Sequence, residues 1–434
     1  MNYLKSVLSV YIVLLTFLAQ PYRILGDNVN SQSELNNYLI YASANNHGLK
    51  SAFNLWKAEM EKSLKVRILP DPIVSFAYFI SKIETKVGPQ NMKFGITQKF
   101  PWFGKLALSG KRSLEKAKAL KQNFEKVKLN LFYEVKKRYF NLGFNIRSIQ
   151  IIEENIYLLK LLNSQVESLY TTGKTSSSRL IGLQVELDKL LDMKRSLLDK
   201  QLSLKIALNA VMNRPIKTEI TIDKNCNEIN FFLDSDELRE TMVSNNPELK
   251  YFDHLELSEK AGLKLAKKNS FPDISIGADL IVTGDSVNPD LINSGKDPFM
   301  VKISINLPIW FKKIKASVRE AKFRVASINE KMLNRKNRLI EYLEQTLFSF
   351  NDSVHALNLY KNKIIPKVKK AFEITKTAFT NGEAGFLEFI DIQRTLLQFR
   401  LNLEKAKINS VIKLALIESI VGKDISENQK KIRH

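Results

Sequence analysis

The feature that most restricts the fold of this 434-residue chain is that its second half repeats its first. Asn45-Asn46-His47-Gly48-Leu49-Lys50 matches Asn245-Asn246-Pro247-Glu248-Leu249-Lys250 at an offset of 200. Leu69-Pro70-Asp71 matches Phe271-Pro272-Asp273 at 202, and Phe100-Pro101-Trp102-Phe103 resembles Leu307-Pro308-Ile309-Trp310-Phe311 at 207. Tyr170-Thr171-Thr172-Gly173, with Gln184 eleven residues after the glycine, matches Phe379-Thr380-Asn381-Gly382 with Gln393 eleven after, at 209. Four matches in one order with slowly drifting offsets mark an internal duplication. A period near 200 residues is too long for a solenoid unit, so one large fold is built twice.

Within each copy the hydrophobic period changes in the same way. Ile274, Ile276, Ala278, Leu280 and Val282 alternate with mostly polar or small residues, and Phe299 to Leu307 alternates with Lys302, Ser304 and Asn306. Met92, Phe94, Ile96 and Phe100 do the same in the first copy, while Ile73–Glu84 is rich in β-branched and aromatic residues. Strands are expected at about 72–84, 91–100, 273–283 and 299–309. The period then turns helical: Ile149, Ile152, Ile156, Leu159, Leu162, Val166 and Leu169 step by three and four. Helices are expected at about 105–170, 174–213, 313–380 and 386–421. A helix over 105–170, a span without proline, would extend about 100 Å. Each copy reads strand, strand, long helix, tight turn, long helix. The first copy is assigned to 27–214, a linker to 215–236, the second copy to 237–422 and a charged flexible tail to 423–434.

Lys5 followed by the apolar run Val7 to Ala19 has the form of a secretory signal, with the segment expected to end near Gly26. No Cys follows that run, which argues against a lipid-anchored start, and no other segment reaches the apolar length of a spanning helix. Lone Cys226 excludes a disulfide framework and Cys-based metal sites. His47, His254, His355 and His434 are dispersed without partners at ligand spacing, so no metal site, cofactor or catalytic centre is expected, and phosphate loops and nucleophile elbows are missing too. The net charge of +22 raises nucleic-acid binding, but the basic residues spread along the whole chain and the signal directs it elsewhere.

Strands of about ten residues suit a membrane barrel. Four of them cannot close one, and open edges cannot face lipid. Closure therefore needs several copies: two give eight strands, three give twelve. A soluble hairpin on a secreted coiled-coil scaffold, with no barrel, is the competing account.

The two-copy layout and the aromatic-x-x-Gly turn with its later Gln resemble TolC-type outer-membrane efflux proteins over about residues 35–421. Leu69-Pro-Asp-Pro72, Gln98-Lys-Phe-Pro-Trp-Phe-Gly-Lys105 and Asn306-Leu-Pro-Ile-Trp-Phe311 look like the heavy-metal (copper or cobalt–zinc–cadmium) branch. The resemblance implies a homotrimer with a twelve-stranded barrel in outer-membrane lipid. Below it an α-helical periplasmic tube would meet an adaptor (membrane fusion) protein and an inner-membrane RND-type transporter. It implies a passive export duct for heavy-metal ions, with drug efflux or protein secretion as the alternative, and no enzyme activity. It also implies that Gly173, Ser176, Ser177, Gly382 and Phe386 form the adaptor-docking tip, and that Glu388 and Asp391 line the pore entrance. At the positions in the first copy that correspond to those two acids stand Arg179 and Gly182, so Arg179 is expected to pair with Glu388 and hold the tip shut. Pro101 and Pro308, at strand ends, read as hinges between barrel and tube.

Overall fold

This computed structural model describes residues 34–425 apart from 174, 224–230, 232, 289 and 291. The segment expected to be a signal, 1–26, as well as Cys226 and residues 426–434 of the tail, lie outside the described residues.

Each repeat carries two helices that the strand-first reading missed. In the first, α1 (Glu34–Asn45) and α2 (His47–Lys65) precede β1 (Ile73–Ile83) and β2 (Gln90–Phe100), and the long α3 (Lys105–Thr171) and α4 (Ser177–Met212) follow. In the second, α5 (Ser235–Asn245) and α6 (Pro247–Lys268) precede β3 (Ile274–Thr283) and β4 (Phe299–Ile305). Then come α7 (Phe311–Leu359), a π-helical turn (Tyr360–Ile364), α8 (Ile365–Thr380) and α9 (Phe386–Val421).

The repeated Asn-Asn pair explains the missed helices. Asn46 accepts from the Leu49 N–H and so starts α2, while Asn246 accepts from Glu248 and Leu249 and starts α6. Each asparagine also donates to the last turn of a long helix, Asn46 to the Val211 carbonyl at 2.9 Å and Asn246 to the Ile420 carbonyl at 2.6 Å. Those long helices end alike in left-handed residues, Asn213 and Gly422.

The second long helix is not continuous over 313–380 as expected. Pro366 sits in the first turn of α8, directly after the π-turn. Proline offers no N–H and crowds the carbonyl four residues back, and a wider turn relieves that crowding. The first repeat has no proline there and α3 runs unbroken over 67 residues. The strand expected to 309 stops at Ile305, because Pro308 cannot extend a ladder.

The four strands form one antiparallel sheet in the order β1-β2-β3-β4, so β2 and β3 join the repeats at its centre. Register aligns Val74, Ile96, Ala278 and Val301 across the sheet, and Phe76, Phe94, Leu280 and Phe299 beside them. That face is a continuous apolar band left bare: Phe76 is 61% exposed and Ile303 69%. The opposite face holds Ser75, Lys93, Thr97, Ser275, Asp279, Lys302 and Ser304. Apolar packing lies instead among the helices, in one cluster between α1, α3 and α4, one between α5, α7 and α9, and one around the two helix-to-helix turns. Among the described residues no helix is long and apolar enough to cross a membrane.

Candidate pore wall and docking tip

The polar face of the sheet is organised around Asp279. Lys93 of β2 reaches its carboxylate at 2.9 Å and Lys302 of β4 at 2.8 Å, and the aspartate side chain is wholly covered. Two glycines make the space. A Cβ at Gly95 would lie 2.4 Å from the Asp279 carboxylate, and one at Gly277 would lie 2.7 Å from the Lys302 stem. Glycine in a strand usually marks such a close approach. Three strands are thereby tied across the polar face, with one lysine charge in excess.

The junction of sheet and helices is strapped by Asp273, just ahead of β3. Its carboxylate accepts from the Trp102 N–H at 3.0 Å and from Lys105 at 2.7 Å, and pairs with Lys99 at 3.1 Å. The chain around Pro101 is therefore held across the repeat boundary, and Trp102 stacks on Phe271 with centroids 5.5 Å apart. Ahead of Pro308, Asn306 donates its N–H to the Asp273 carbonyl at 3.2 Å and accepts from the Asp273 N–H through its side chain. Beyond it the contacts are local, Ile309 donating to the Leu307 carbonyl and Phe311 to the Ile309 carbonyl. Asp273 thus meets the chain at both proline junctions, by charged side chains near Pro101 and by Asn306 ahead of Pro308.

At the far end of the long helices lie the two turns. Gly173 (φ 73°) and Gly382 (φ 82°) adopt the left-handed conformation, and a Cβ at either would meet nothing within 4 Å. Backbone conformation, not crowding, selects glycine there. Ser176 is extended ahead of α4 without a side-chain cap bond, and Ser177 opens the helix. Beneath the turns Phe379 stacks on Phe389, with centroids 4.7 Å apart, beside Phe372. The Phe386 ring lies over Gly182, where a Cβ would come within 2.5 Å of it. That role of Gly182 was invisible in the sequence, because it depends on how α4 and α9 cross.

Glu388 and Asp391 are both exposed near the start of α9, and Arg179 is half-buried near the start of α4. Among the described residues no ion pair joins Arg179 to Glu388 within the chain. The α4–α9 crossing is closed by Glu186 and Arg394 instead, which sequence reasoning missed. Arg394 donates from Nε at 3.0 Å and from Nη2 to the other carboxylate oxygen, and Lys189 adds a contact at 2.9 Å. The Arg394 hydrogen bond, outweighing burial, holds the Glu186 carboxyl below the usual carboxylate range, with Lys189 helping. Asp391 in turn helps to keep the Arg394 guanidinium charged. Deeper in, Gln393 donates to Asn155 at 3.1 Å inside the apolar cluster, a polar pair that sets the register of α9 on α3. Among the described residues no group of His, Cys, Asp and Glu is arranged to hold a metal ion.

The architecture is found elsewhere over nearly its full length. CusC superposes with a TM-score of 0.76 at 14% identity, covering 92% of this chain and 96% of that one. VceC, an outer membrane protein of Vibrio cholerae, gives 0.75 at 12% identity, covering 90% and 96%. The CmeC outer membrane channel of Campylobacter jejuni gives 0.70 at 16% identity, covering 92% and 89%. The fold is thus that of outer-membrane channels. More particularly, residues 238–423 match the sequence model of the family described as outer membrane efflux protein. No curated protein sequence matches the chain.

Proposed function

We propose that the chain is one subunit of a passive efflux duct in the outer membrane, extending into the periplasm. The observation that carries this is the four-stranded sheet: bare and apolar on one face, polar on the other, with both edges unpaired among the described residues. Such a sheet is costly in water and cannot lie open in lipid, but copies joined edge to edge form a barrel that buries both liabilities. The ring is taken as a homotrimer, in which three copies of the four-stranded sheet supply twelve strands. The long helices would form the tube, with Gly173, Ser176, Ser177, Gly382 and Phe386 offered to a periplasmic adaptor and, through it, an RND-type inner-membrane transporter. Glu388, Asp391 and Arg179 would line the entrance, with Pro101 and Pro308 at the barrel-to-tube bends.

The Leu69-Pro-Asp-Pro72 and Asn306-Leu-Pro-Ile-Trp-Phe311 motifs support heavy-metal ions as cargo. The pore wall favours a second reading. Lys93, Lys99, Lys105 and Lys302 outnumber Asp273 and Asp279 at the polar face and its lower rim, which disfavours cations and suits organic solutes. Deleting the gene and challenging cells with copper, zinc, cobalt, cadmium, dyes and antibiotics decides between them. Lost tolerance to metals alone supports the first, and lost tolerance to drugs alone the second. Absence of heat-modifiable oligomers from outer-membrane fractions would overturn the duct itself.

A further inference from the structure

The chain contains two seams of one kind, and only one of them is closed within a single copy. The closed seam lies between the repeats, where β2 meets β3 and α3 meets α6. Its determinants are two charge pairs and a strand register. Asp273, ahead of β3, is taken by Lys105 at the start of α3, and further down Glu259 of α6 is taken by Arg112 of α3 at 3.2 Å.

The repeat offsets carry this seam onto the free edges. Adding 207 to the α3 residues gives Lys312 and Arg319 of α7. Subtracting 202 from Asp273 and 200 from Glu259 gives Asp71 and Glu59. Base stays base and acid stays acid at both places, although few other residues persist between the repeats. In the single copy these groups are available. The side chains of Asp71, Lys312 and Arg319 are exposed and make no hydrogen bond or ion pair with the described residues. Glu59 meets Ser113, Lys62 and Lys116 at 3.3, 3.5 and 3.8 Å, and a carboxylate has room for a further donor.

The strands agree independently. Phe100 opposes Ile274 in the closed seam, and the same offsets place Leu307 against Pro72. Ile305 then meets Val74, Ile303 meets Phe76 and Val301 meets Tyr78, all on the apolar face. Ser304 falls opposite Ser75 on the polar face. A slip by one residue would turn every one of these side chains to the wrong face. Resting on the reading of the chain as a membrane ring, we infer that β4 of one copy pairs with β1 of the next in this register. Lys312 there holds Asp71, and Arg319 holds Glu59, of the neighbouring copy. The contact is heterologous, so it propagates around a ring and leaves no edge.

Two experiments on the full chain test this. With Cys226 replaced by serine, Ser75→Cys and Ser304→Cys together should give, on oxidation, a covalent ladder ending at the closed oligomer on non-reducing denaturing gels. Ser75→Cys with Met300→Cys, four residues out of register, should not. In the second, Asp71→Lys or Lys312→Asp alone should cut the heat-resistant oligomer at least several-fold, and the two together should restore it. Oligomers that cross-link better through Met300, or a charge swap that restores nothing, would overturn the inference and leave the duct standing. An unmutated protein that is monomeric in mild detergent would overturn the duct reading itself.

Discussion

Glu186 and Arg394 show how much a tip can depend on residues that carry no motif. Arg394 is 53% exposed, so water screens the pair and Glu186→Gln should cost no more than about 1 kcal/mol at neutral pH. Because the folded carboxyl is held below its unfolded value, that stabilisation is complete above about pH 4.5 and fades as the pH falls further. The difference between variant and wild type, read by amide exchange at the tip, should therefore shrink below pH 4.5. Gly182 gives a sharper case. Gly182→Ala favours a helix by up to about 1 kcal/mol but must push the Phe386 ring aside, and overpacking costs about 1–3 kcal/mol. It should destabilise wild type and stabilise a Phe386→Ala background, a reversal of sign that thermal unfolding of both pairs would reveal. Glu186 did not stand out in the sequence, and Gly182 did so only as the counterpart of Asp391. Gln184 and Gln393 look interchangeable there, each eleven residues after its glycine, yet Gln393 is buried on Asn155 and Gln184 is exposed. Local spacing does not tell which face of a helix meets another helix.

At the scale of elements, the strands and the tight turns were legible because alternation and glycine act locally. Asn46 and Asn246 were noticed only as a repeat, although asparagine ahead of helical sequence is also a start signal, and so α1, α2, α5 and α6 were missed. The break at Pro366 was legible in principle, since proline inside a helix carries its own warning. How the break is absorbed was not legible. A π-turn houses an extra residue without rotating the helix beyond it. The repeat offset grows by two, from 207 at Pro308 to 209 at Gly382, and the π-turn between them takes up one of those two residues. Deleting Lys363 together with Pro366→Ala should therefore leave a continuous α-helix with Phe372 and Phe379 still facing Phe389. Deleting Lys370 in α8 instead rotates the rest of that helix by about 100° and takes Phe372 and Phe379 out of the core, at a cost on the order of 3–5 kcal/mol each. Comparing the two deletions by thermal unfolding tests whether the wide turn is an insertion or a hinge. Equal losses would speak for the hinge.

For the whole molecule the question is which solvent the sheet faces, and adjacent residues of β4 answer it. Ile303 lies mid-strand on the bare apolar face and Ser304 on the face of Asp279 and Lys302. On a sheet in water the two positions would accept a charge almost equally, since both side chains are exposed. In lipid they differ by physics that has no aqueous counterpart. Arginine on the lipid face near the bilayer midplane costs about 2–4 kcal/mol, while a charge on the water-filled side costs little. Ile303→Arg should thus lower the yield of outer-membrane oligomer at least tenfold, because the charge is repeated in every copy around the ring. Ser304→Arg should leave assembly intact and alter only conduction, readable as ion selectivity in planar bilayers. A soluble scaffold predicts the same mild outcome for both, so equal recovery of the two variants from the soluble fraction would remove the barrel from the account.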